Sequence, residues 1–169
     1  MGSSQTLLVL AALTILGLIS ISANKTMLSS STIVLNSEAV ITGTAVGQAE
    51  IEQILLKRFD QNLPPPYSTD SVNVLTSPSD LGPDAGETSV SDFNDIDDYN
   101  GYVDSVYTPR FGYYKRTCSV YYVTASSPDV NAETQTFIKR IDITVYNPYI
   151  GTPNHEIELS RLVSYRYKD

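Results

Sequence analysis

Hydrophobic positions divide this chain into two regimes. From Leu7 to Ile21 it reads LLVLAALTILGLISI, and no charged residue precedes Lys25. The 18 residues Thr6–Ala23 are apolar except for Thr6, Thr14, Ser20 and Ser22, the length at which a helix begins to span a bilayer, roughly 17–25 residues. The apolar pattern then thins but persists through Met27, Leu28, Ile33, Val34, Val40, Ile41, Val46, Ile51, Ile54, Leu55 and Leu56, separated by small and hydroxylated residues. No proline interrupts it before Pro64-Pro65-Pro66, where the missing amide donor ends a helix. The pattern predicts one helix over residues 6–62, within an N-terminal segment 1–62. Sixty helical residues would make a rod of roughly 90 Å at ~1.5 Å per residue. Its apolar half is expected to protrude and to be covered by lipid or by copies of itself. Gly43 and Gly47 have the G-x-x-x-G spacing that lets helices approach closely, although a segment rich in small residues also produces that spacing by chance.

Residues 63–112 read as a linking region, punctuated by turn signals at Ser77-Pro78-Ser79-Asp80, Gly82-Pro83-Asp84-Ala85-Gly86 and Asn100-Gly101. From Tyr113 the period changes to two. Tyr114–Thr124 places Cys118, Val120 and Tyr122 on one face, with Tyr121 and Val123 on the other. Phe137–Tyr146 places Ile141, Ile143 and Val145 on one face, and a last strand starts near Glu156. Short turns between these runs predict an antiparallel meander of three to four strands over residues 113–169. Its apolar face needs a cover, and the second half of the long helix is the available element. The expected class is therefore α+β.

Charge and composition narrow the chemistry. The net charge is −8, with nine acids and no base between Asp70 and Asp104. A nucleic-acid partner needs a basic face for phosphates, so that role is disfavoured. One cysteine excludes an intrachain disulfide framework. Cys118, alternating with Val120 and Tyr122, reads as a buried inert thiol. His155 follows a turn and reads as a surface side chain, so no catalytic constellation emerges and the chain is not expected to be an enzyme. Eleven of twelve tyrosines lie at or after Tyr99. Tyrosine suits both sheet packing and subunit contacts, and some are expected to do each.

The acidic loop Asp92–Gly101 is where metal chemistry would live. Asp92, Asn94, Asp95, Asp97, Asp98 and Asn100 offer oxygen ligands of the kind calcium takes in irregular loops. Ile96 and Tyr99 break the EF-hand pattern. The alternative is a solvated acidic loop capped by the Asn100-Gly101 turn.

The uncharged start Gln5-Thr6-Leu7-Leu8-Val9-Leu10, one long helix, a linking region and a closing antiparallel sheet resemble the type IV pilin superfamily of pilins, minor pilins and pseudopilins. The resemblance implies a structural subunit of an extracellular helical filament on the cell surface, held in the inner membrane before assembly. It implies a homopolymer built through the apolar helix (Gln5, Leu7, Leu8, Leu10, Leu13, Leu16, Leu18 and Ile21), with pilus or type II secretion machinery as partners. It also implies processing after a glycine, for which Gly2 is the candidate, and raises the expectation of calcium in the acidic loop. The family's glutamate near the start of the helix is missing: no acid precedes Glu38, and Gln5 or Leu7 stands nearest that place. A minor pilin or pseudopilin acting as a tip or priming factor is the alternative, and a membrane-anchored calcium-dependent adhesin a third reading.

Overall fold

The structure is a computed structural model that describes residues 2–63 and 71–165. One helix, α1, runs Ser3–Leu55. Four strands follow: β1 Val103–Thr108, β2 Gly112–Tyr122, β3 Ile138–Tyr146 and β4 Glu156–Ser164. Among the described residues these form one sheet in the order β1-β2-β3-β4, antiparallel throughout. The expected α+β class is observed: a long apolar N-terminal helix packed on an antiparallel sheet.

The chain divides into two compact units, residues 1–38 and 39–169. In the first, every described residue from Gly2 to Leu35 is exposed. Several of its hydroxyls are paired within the helix itself. Thr6 and Thr14 donate to the carbonyls of Ser3 and Ala11, and Thr26, Ser31 and Thr32 donate to carbonyls four residues back. A helix that internally pairs its polar side chains carries little polar penalty into an apolar medium.

In the second unit, helix residues Ala39, Gly43, Gly47, Glu50 and Ile54 are buried, a stripe at spacings of three and four. They meet the apolar face of the sheet, where Tyr114, Cys118, Val120, Ile141, Ile143 and Val145 form the core. The faces expected for Cys118, Val120 and Tyr122 and for Ile141, Ile143 and Val145 are the buried ones. The reason for the glycines lies in this contact and not between helices. A Cβ on Gly43 would come within 2.9 Å of Ile157 Cδ1, and one on Gly47 would collide with Leu159 Cδ1 and sit 3.0 Å from Val145 Cγ2. Gly costs ~1 kcal/mol relative to Ala in a helix interior, and here that cost lets the helix backbone approach the sheet.

Polar ties reinforce the packing. The Tyr114 hydroxyl donates to the Ala39 carbonyl at 3.1 Å. The Arg116 guanidinium on β2 pairs with Glu50 of α1 at 2.7 Å and with Asp104 of β1.

Two expected boundaries move. The helix ends at Leu55, where a turn through Lys57 begins, and not near Asn62. Val103–Thr108 is a strand inside the stretch read as a linker. It was hidden because it is an edge strand whose two faces are only exposed or half-buried, so it lacks the buried apolar alternation of β2 and β3. Gly112, at φ 71°, opens β2 in a conformation that glycine adopts readily.

Replacing Gly47 with leucine is expected to destabilise the 39–165 unit by about 1–3 kcal/mol through overpacking against Leu159 and Val145. Chemical denaturation checks this, and an unchanged midpoint would contradict the assigned contact.

Candidate functional site

Two regions carry chemistry. The first is the N-terminal half of α1. Among the described residues α1 is the one helix long and apolar enough to cross a membrane, and its apolar window buries nothing. Leu7, Leu8, Leu10, Leu13, Leu16, Leu18 and Ile21 are each 59–70% exposed, and Gln5 and Gly2 are exposed with them. Such a surface is compatible with membrane anchoring, since an apolar patch this large on an isolated chain needs a partner or lipid.

The second region is the acidic loop, and it differs from the expectation of a solvated loop. Asp95, Asp97 and Asp98 are at most 2% exposed, so the loop is not solvated. The apolar residues between the acids explain this. Phe93, Ile96 and Tyr99 enter the core, and Phe93 meets Tyr99 and Tyr102 edge-on at 5.0 and 5.6 Å. Backbone bonds fix the loop along the chain that leaves α1: Ile96 N donates to the Arg58 carbonyl at 2.9 Å.

The six predicted ligands do not converge. Asp92 is exposed and accepts from Ser89 N at 3.0 Å. Asn94 Oδ1 accepts from Arg58, and Asn94 Nδ2 donates to Glu87, each at 2.5 Å. Asp95 accepts backbone amides of Gln61, Asp97 and Asp98. Asn100 bridges Leu81 O and Val120 N. Asp97 faces Lys139. Only Asp98 joins a group with cation-holding geometry, in which ligand oxygens of Asp84, Glu87 and Asp98 lie within 4.8 Å of one another. Asp84 and Glu87, eight and five residues before the predicted cluster opens at Asp92, lie outside it.

What sequence reading missed is Lys139. It is fully buried on β3, and its Nζ donates to Asp97 Oδ1 at 2.6 Å, to the Phe59 carbonyl at 2.7 Å and to Asp60 Oδ2 at 3.2 Å. The Phe59 and Tyr122 rings lie 4.8 and 5.3 Å from it. Asp60, also fully buried, accepts from Thr76 N, Asn62 N and the Tyr122 hydroxyl. A signal existed: Lys139 stands in phase with Ile141, Ile143 and Val145, on the buried face of its strand.

Electrostatics follow from this burial. Asp95 is pushed up to about 8, first by burial and then by Asp97 beside it. Asp98 is pushed up to about 6 by burial, against the amides of Asp95 and Asn94 that favour its charge. Burial also raises the Cys118 thiol to about 12, in keeping with an inert thiol. His155 is exposed, as expected. Tyr99, Tyr114 and Tyr122 are core residues, as expected for sheet packing, while Tyr107, Tyr113 and Tyr149 are exposed.

Comparison with family models, curated proteins and solved structures yields no match. The class of fold, a long apolar helix on an antiparallel sheet, is compatible with a pilin.

Asp95 holds its proton in the folded state up to about pH 8 but releases it in the unfolded chain near the ordinary aspartate range. The folded state therefore binds more protons in between, and stability falls as pH rises through that window. Between pH 6 and 8 the denaturation midpoint is expected to decline, and Asp95→Asn to flatten the slope. A rise over this range would contradict the assignment.

Proposed function

We propose that this chain is the structural subunit of an extracellular helical filament of the type IV pilus kind. The observation that carries the reading is the exposed apolar surface of α1 from Leu7 to Leu35. By area accounting at ~25 cal/mol per Å², covering about 18 apolar side chains is worth tens of kcal/mol in gross terms. Lipid supplies that cover before assembly, and sister helices supply it in a filament core. A chain held head-to-tail by such contacts, with no ring closure, builds an open helix of subunits. The exposed Tyr107–Tyr113 pair, with ring centroids 5.2 Å apart, offers amphipathic surface for contacts between heads.

A tip or priming subunit is the second reading, favoured by the missing acid ahead of Glu38. A membrane-anchored calcium-dependent adhesin would draw on Asp84, Glu87 and Asp98.

Immunogold electron microscopy of the native host separates these readings. A structural subunit is labelled along the whole filament. Label confined to filament ends supports the tip reading, and label on membranes without filaments supports the adhesin. Leu13→Arg adds a charge worth about 2.5–3.5 kcal/mol at the centre of a span. It is expected to abolish filaments while leaving the fold of residues 39–165 intact. Filaments of normal length from this variant would overturn the reading.

A further inference from the structure

The contacts of Lys139 extend beyond an ion pair. Its Nζ lies 2.6 Å from Asp97 Oδ1, and both groups are shut away from water, with side-chain exposures of 0% and 4%. Aromatic rings of Phe59 and Tyr122 wall the site. A second carboxylate, Asp60, touches the same nitrogen at 3.2 Å and is itself fully buried. An amine held 2.6 Å from a carboxyl oxygen in a dry pocket, with a second carboxylate within reach of its protons, is a starting arrangement from which amide condensation can proceed.

We propose that Lys139 and Asp97 form an intramolecular isopeptide bond, with Asp60 relaying the proton. The Nζ–Cγ bond forms and one Cγ–O bond of Asp97 breaks. The ammonium supplies two hydrogens and Asp97 one oxygen, so a single water leaves and no oxidant or co-reactant is consumed. Asp60 Oδ2 takes the first proton from Nζ, which frees the lone pair for attack, and passes it to the departing oxygen. The second proton that the nitrogen sheds as the amide forms follows through the same carboxylate, so the oxygen leaves as water and Asp60 ends as it began.

The hydrogen bonds assign the two roles. Asp60 accepts from the Thr76 amide at 2.9 Å, the Asn62 amide at 3.0 Å and the hydroxyls of Thr76 and Tyr122 at 3.2 Å. Those donors occupy both of its oxygens and hold it in place beside the amine. Asp97 Oδ1 faces the amine directly. Condensation removes the buried charges of Lys139 and Asp97, while Asp60 keeps the Thr76 and Asn62 amides as its donors, and the released water is lost to bulk solvent. The product covalently ties β3 to the loop that precedes β1.

Mass spectrometry of the denatured full-length chain tests this. The expected chain is lighter than its sequence by one water, and trypsin is expected to leave peptide 59–110 joined to peptide 117–140, because amidated Lys139 is not cut. Tandem fragmentation places the link on Asp97. Lys139→Arg, which keeps the cation but cannot condense, is expected to restore the full mass and the separate peptides. A wild-type chain of unreduced mass would overturn the proposal. So would a water loss that maps to another residue or survives in Lys139→Arg, and the wild-type measurement decides even where a variant fails to fold.

Discussion

The constraint on which the rest depends is that one continuous helix meets two different surroundings. In its first 35 residues the large side chains of Leu7 to Leu35 have no cover within the chain. From Ala39 to Gly47 the buried stripe is made of small residues, because the sheet approaches the helix backbone there. The same element thus changes from a surface that demands an outside partner to one that fills its own core. Leucine, isoleucine and valine suit the first task, since they present area. Alanine and glycine suit the second, since Ile157, Leu159 and Val145 occupy the space their side chains would take.

A second consequence concerns how the head keeps its shape. The acidic loop is held by apolar anchors, Phe93, Ile96 and Tyr99, and its carboxylates turn inward as a result. Burying several acids together is costly unless they are paired or protonated. Here Lys139 meets Asp60 and Asp97, backbone amides serve Asp95 and Asp98, and Asp95 retains its proton. Removing the lysine would leave Asp60 and Asp97 without the nitrogen that both touch.

Much of this was legible from residue order. Uninterrupted apolar character marked α1, and period-two alternation marked the buried faces of β2 and β3. The glycines were read for their spacing, but their partner could not be, because spacing reports closeness and not what comes close. β1 escaped notice because an edge strand with half-buried faces has no clean alternation. The reading of the acidic loop as solvated fails because its charge count masks the apolar anchors Phe93, Ile96 and Tyr99. Lys139, Asp60 and Asp97 lie far apart in sequence and meet only when β3 is laid beside the chain leaving α1. Of that site, the strand phase of Lys139 was the one local sign.

The physical claim at the centre is that α1 cannot leave its first half bare in water. Sedimentation of the full-length chain as detergent is withdrawn tests it most directly. The account predicts that the chain passes from detergent-bound particles into lipid or large helical assemblies, with no free monomer at equilibrium. A stable, monodisperse monomer in detergent-free buffer would contradict it.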